Sequence, residues 1–106
     1  MKRIEFRLSM PERASWDGKW SGEDKNYVIV KKISNEWAKE IGIEDNKKTS
    51  WYYRWDDGWT ACITARVLKK GERVKRFDGF CGYDWMVDNI LLYNSPYGKN
   101  KKMEEK

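Results

Sequence analysis

The chain has 106 residues, a formal charge of +5, a pI near 9.2 and a mean hydropathy of -0.96, with 37% charged and 15% aromatic residues. That length holds one hydrophobic core and is too short for two. Histidine is absent, and the two cysteines, Cys62 and Cys81, form no CxxC pair. This excludes the usual general base, the Ser-His and Cys-His nucleophiles and a four-thiolate zinc site, so no cofactor is expected and a binding protein is favoured over an enzyme.

No apolar run approaches the roughly 18 residues of a spanning helix. The start Met1-Lys2-Arg3-Ile4-Glu5 leads into an alternating pattern rather than an apolar stretch, which predicts a soluble cytoplasmic protein without membrane partners. Rings must supply much of the core, because Phe, Trp and Tyr together are as numerous as Leu, Ile and Val together.

Residues 2 to 9 alternate, with Ile4, Phe6 and Leu8 on one face and Arg3, Glu5 and Arg7 on the other, the pattern of a half-buried strand that Met10-Pro11 ends. A polar loop follows, carrying Trp16-Asp17-Gly18-Lys19-Trp20-Ser21-Gly22, and a second strand is predicted at about 27 to 33. Ser34 or Asn35 then caps a short helix near 35 to 41 in which Trp37, Ala38 and Ile41 share a face, before Gly42 stops it. Glu44 to Lys48 forms a charged connector.

Thr49 to Leu68 reads as a hairpin with two candidate registers. A two-residue turn at Asp57-Gly58 would split the Trp-rich and aliphatic side chains between opposite faces. A three-residue turn, Asp56-Asp57-Gly58, sets Trp55 opposite Trp59, Tyr53 opposite Ala61 and Trp51 opposite Ile63, and so makes one apolar face. Burial favours the second. Tyr52, Arg54, Thr60, Cys62, Thr64 and Arg66 then line the other face.

Lys70-Gly71 turns the chain into a short basic strand near 73 to 77. A long last helix follows, on which Tyr83, Met86, Val87, Ile90 and Leu91 form a core-facing stripe until Asn94-Ser95-Pro96 ends it. The predicted fold is α+β: an antiparallel sheet of four to five strands, a long C-terminal helix on one face and a short helix in a connection. Residues 1-97 form the domain and 98-106 a flexible charged tail.

Charge concentrates locally. Residues 66 to 76 hold Arg66, Lys69, Lys70, Arg73, Lys75 and Arg76 against Glu72 alone, and so carry the whole net charge. Such a run is either a solvated sheet edge or the footprint of an acidic partner, and the sheet face bearing Tyr52, Arg54 and Arg66, which leads into it, strengthens the case for contact. Trp51, Trp55 and Trp59 read as core, the alternative being a platform for stacked bases. Trp16 and Trp20, beside Lys19 in a polar loop, are anchors on a partner or cover for the sheet. Gly79 and Gly82 before a helix could cradle phosphate, but Asp84 in the first turn repels an anion and favours a capped loop. Asp84 and Asp88 read as surface charge rather than metal ligands.

The strings Trp16-Asp17-Gly18-Lys19-Trp20-Ser21-Gly22-Glu23 and Gly79-Phe80-Cys81-Gly82-Tyr83-Asp84-Trp85-Met86, with the hairpin between them, resemble those of short phage and prophage accessory proteins over most of residues 3 to 93. The resemblance carries no catalytic residues. It implies a cofactor-free protein that acts by binding, as an inhibitor of a host defence effector such as a CRISPR nuclease. Arg54, Arg66, Lys69, Lys70, Arg73, Lys75 and Arg76 would then dock on an acidic surface, with Tyr52, Trp16, Lys19 and Trp20 beside them. A DNA mimic would be acidic, so this basic chain would act by occlusion, by locking a conformation or by competing for nucleic acid. Direct binding of single-stranded nucleic acid and sequestration of a signalling nucleotide are the alternatives.

Overall fold

The computed structural model describes residues 1–11, 24–54, 60–74 and 84–98. Strands β1 (Lys2–Pro11) and β2 (Asp24–Ile33) form one hairpin, and β3 (Thr49–Arg54) and β4 (Thr60–Val67) another. Helix α1 (Asn35–Glu40) lies between the hairpins in sequence and α2 (Asp84–Tyr93) follows β4. The sheet order is β2-β1-β4-β3, all antiparallel, so β1 and β4 are central and β2 and β3 are the edges. The connection carrying α1 therefore passes from one edge to the other.

Alternation along β1 decides which face becomes the core. Ile4, Phe6 and Leu8 are fully buried with Ala61, Ile63 and Ala65 of β4, and α1 and α2 pack on that face through Ala38, Met86, Val87 and Ile90. Trp51 stands opposite Ile63 and Tyr53 opposite Ala61, the register of the three-residue turn. The turn itself, with Trp55 and Trp59, lies outside the described residues. Trp51 is half-buried: its ring tilts against Phe6 at 6.4 Å and its Nε1 donates to Asn94 Oδ1 at 3.1 Å. Tyr53 meets Trp85 edge-on at 5.2 Å and stacks on Tyr97 at 4.9 Å, so this end of the core is a cluster of rings.

The helices end where local chemistry requires. The Ser34 hydroxyl accepts from the Trp37 amide at 3.1 Å, capping α1, and Gly42 takes a φ of +79° just after it. Asn94, at φ 54°, stops α2 while its amide still donates to the Ile90 carbonyl. Trp37 Nε1 donates to the Leu91 carbonyl at 2.7 Å and so joins the two helices.

Two expectations are met in part. Helix α2 ends at Asn94 as expected, where the left-handed backbone and then Pro96 stop it, and its 10 described residues span about 15 Å, so a long C-terminal helix is not confirmed. Four strands are present among the described residues, and Glu72 to Val74 are not in the sheet. Those residues leave β4 through a turn held by side chains instead, and 75 to 77 fall outside the described residues. No helix among the described residues is long and apolar enough to cross a membrane.

Candidate binding surface

Neither helix covers the second face of the sheet. The strand registers bring Glu5, Arg7, Tyr52, Arg54, Thr64 and Arg66 onto it, with Lys32 at the β2 side and the more apolar Val28 and Val30 beside β1. Tyr52 is 61% exposed, and Arg54, Arg7 and Lys32 are exposed as well. Arg54 has no ion pair among the described residues, while its backbone amide donates to the Tyr97 hydroxyl at 3.0 Å and so closes part of the β3 edge.

At the centre of this face Glu5 is sunk to 3% exposure. Burying a carboxylate is costly unless it is paired and hydrogen-bonded. Arg66 supplies both, with Nε on Oε1 at 3.1 Å and Nη2 on Oε2 at 3.3 Å, and Arg7 adds a looser contact at 3.7 Å. The face therefore hides its central negative charge and displays positive ones.

Arg66 also reaches Glu72, Nη1 to Oε2 at 2.8 Å, and these bonds to Glu5 and then Glu72 hold its guanidinium more firmly protonated than usual. Arg66, expected on the docking surface, is half-buried and engaged by two carboxylates. Its role is to position the turn that follows. Glu72 accepts the Lys69 amide at 2.9 Å, returns its own amide to the Lys69 carbonyl, and offers its carbonyl to Arg3 Nη2 at 2.7 Å, while Gly71 supplies the required φ of +77°. The Lys69 hydrogen bond first, and Arg66 second, hold the Glu72 carboxyl below its usual range. Lys69 and Lys70 ride exposed on this braced turn, and Arg73 is exposed beyond it.

The expected basic site is thus divided. Tyr52 and Arg54 lie near one end of the β3–β4 hairpin, since Arg54 pairs with Thr60. Arg66 stands six residues further along β4, about 20 Å at the rise of an antiparallel strand. Lys69, Lys70 and Arg73 follow at that far end. Arg7, opposite Thr64, lies between the two ends, and Lys32 adds a charge on the β2 edge beyond Arg66; both were missed because only the β1–β4 and β1–β2 pairings place them on this face. Trp16, Lys19, Trp20, Lys75 and Arg76 lie outside the described residues, as do Gly79, Cys81 and Gly82.

Asp88 pairs with Lys31 at 3.4 Å, an ordinary surface ion pair. Among the described residues no group of three or more acidic or thiol side chains converges as a metal site. No protein-family model, curated protein or solved structure matches this chain.

Proposed function

We propose that the chain is a small non-enzymatic binding protein of the phage accessory kind, which inhibits a nuclease or other nucleic-acid-handling defence protein of the host by docking its basic sheet face on an acidic surface. One observation carries this reading: the helix-free face buries Glu5 beneath arginines and leaves Tyr52, Arg54 and Arg7 exposed, with Lys32 exposed on the far β2 edge. Arg and Tyr, with Trp, are enriched among the energetically dominant residues of protein interfaces, and a face of one charge sign steers association with a partner of the other. Its positive sign means inhibition by occlusion or by holding a conformation, not by imitation of DNA.

The test is capture of partners from defence-bearing cells on immobilised protein, with and without nuclease digestion of the lysate, followed by a cleavage assay on the captured effector. The expected result is a nuclease-resistant protein partner whose activity falls on adding the wild-type chain and recovers with an Arg7→Glu/Arg54→Glu variant. Full activity of every captured nuclease in the presence of the chain would overturn the reading.

Tyr52 favours a second reading, single-stranded nucleic-acid binding. A flat ring, 61% exposed next to Arg54 on an open sheet, suits a stacked base, a contact worth about 1–3 kcal/mol. Capture that disappears on nuclease digestion, with an affinity falling steeply in salt, would select it.

A further inference from the structure

The connector before β3 and the turn after β4 face each other across a cleft of about 510 Å³. That volume lies within the range of small-ligand pockets, about 300–1,000 Å³. Lys47 and Lys48 line one wall and Lys69 and Lys70 the other, with Arg66 between them and Asp45 and Glu72 as the two carboxylates.

Both carboxylates are already engaged. Asp45 holds Lys2 at 2.7 Å, and Glu72 holds Arg66 and the Lys69 amide. Arg66 is in turn taken up by Glu5 and Glu72, and Lys47 leans on Glu44 at 3.7 Å. Lys48, Lys69 and Lys70 remain, with no ion-pair partner among the described residues. Each wall is also tied to β1, one by Lys2 to Asp45 and the other by Arg3 to the Glu72 carbonyl. The unpaired ammonium groups therefore sit on backbone braced before any ligand arrives, which lowers the ordering cost of binding.

We propose that this cleft binds a small anion carrying adjacent phosphates, such as the pyrophosphate group of a nucleoside di- or triphosphate. A single phosphate monoester carries a charge of about −1.5 to −2 and would leave a cation unmatched, whereas two adjacent phosphates match all three lysines. Ammonium groups on flexible stems suit phosphate oxygens as point charges. Val67 and Leu68 supply the apolar part of the lining and no aromatic ring is in it, so the cleft holds the phosphates and not the base. The lack of a stacking ring also favours a compact anion over a nucleic-acid strand. This site stands apart from Tyr52 and Arg54 and does not depend on what the sheet face binds.

Isothermal titration of the full chain with inorganic pyrophosphate, orthophosphate, sulfate and a short single-stranded oligonucleotide, at matched ionic strength, tests the assignment. Pyrophosphate is expected to bind saturably with one equivalent, at least about tenfold more tightly than orthophosphate or sulfate. Lys48→Gln/Lys69→Gln/Lys70→Gln should weaken it by at least about tenfold with the melting temperature of the free protein unchanged, whereas Tyr52→Ala/Arg54→Ala should bind it as the wild type does. Amide shifts of Lys48 and Lys69 in the wild-type chain on adding pyrophosphate give a readout that needs no variant. The proposal fails if pyrophosphate does not saturate, if sulfate binds equally well, if the lysine variant binds unchanged, or if the oligonucleotide displaces pyrophosphate from these residues.

Discussion

Arg66 clasps the buried carboxylate of Glu5 in a two-pronged contact across the central strands, with Nε and Nη2 at 3.1 and 3.3 Å from its two oxygens. The same guanidinium bonds Glu72 through Nη1, so one side chain joins the sheet interior to the turn bearing Lys69 and Lys70. Removing Arg66 while leaving Glu5 strands a charge in a site with almost no water. Arg66→Met should cost about 3 kcal/mol, the low end for a broken buried pair, because Arg66 is itself a third exposed and Arg7 stays near Glu5. Glu5→Gln/Arg66→Met should recover much of that loss. Urea unfolding of the single and double variants measures it, and strictly additive losses would mean that the pair is not coupled.

The Glu72 carboxyl gives the turn a pH dependence of definite sign. Its folded pKa lies below the ordinary 4.5, so its contribution is complete above that value and is lost as pH falls through the lowered one. The Lys69 amide resonance should therefore titrate with an inflection below 4.5 and lose that inflection in Glu72→Gln. An inflection at or above 4.5 would mean that the Lys69 and Arg66 contacts do not hold the carboxylate in solution.

Trp51 separates a core ring from a displayed one. Half-buried against Phe6 and bonded to Asn94, it should cost about 2 kcal/mol on truncation to Ala, below the roughly 3–5 kcal/mol of a fully buried ring. Partner affinity measured well below the melting temperature should not change. Lost binding with an unchanged melting temperature would move this ring to the contact surface.

Tyr52→Ala should behave in the opposite way. Its ring is mostly in solvent, so stability should move by no more than about 0.5 kcal/mol, while partner or oligonucleotide dissociation should speed up. Arg54→Glu should chiefly slow association, and more so at low salt. Surface plasmon resonance on the captured partner distinguishes the two effects, and unchanged rates in both variants would remove this face from the interface.

Trp37 links α1 to the end of α2 through one bond, Nε1 to the Leu91 carbonyl. Trp37→Phe keeps most of the ring and removes the donor, which should cost about 1 kcal/mol. Ser34→Ala, which removes the α1 cap, should cost a similar amount, about 1 kcal/mol. Thermal melts followed by circular dichroism report both, and a loss below about 0.3 kcal/mol in either would show that the bond is replaced by water.

Local chemistry in the sequence was enough to define the four strands of the sheet, both helix stops and the β3–β4 register, while the strand expected near 73 to 77 is not in the sheet at Arg73 and Val74. A period of two along β1 and β4 fixes which side chains can be buried together, and only one register put Trp51, Tyr53, Ala61 and Ile63 on one face. Ser34, Gly42 and Asn94 carry their capping roles in their own side chains or backbone freedom. What the sequence could not supply is which strands are neighbours. Pairing β1 with β4 sets Glu5 beside Arg66 across 61 residues of chain, and that contact makes an expected docking arginine the half-buried counterion of a buried carboxylate. The β3–β4 pairing sets Arg54 and Lys69 toward opposite ends of the hairpin, and Lys48 of the connector lines the same cleft as Lys69. Charge runs are read along the chain, but an electrostatic surface is made by neighbours in space, and burial then decides which of those charges are neutralised.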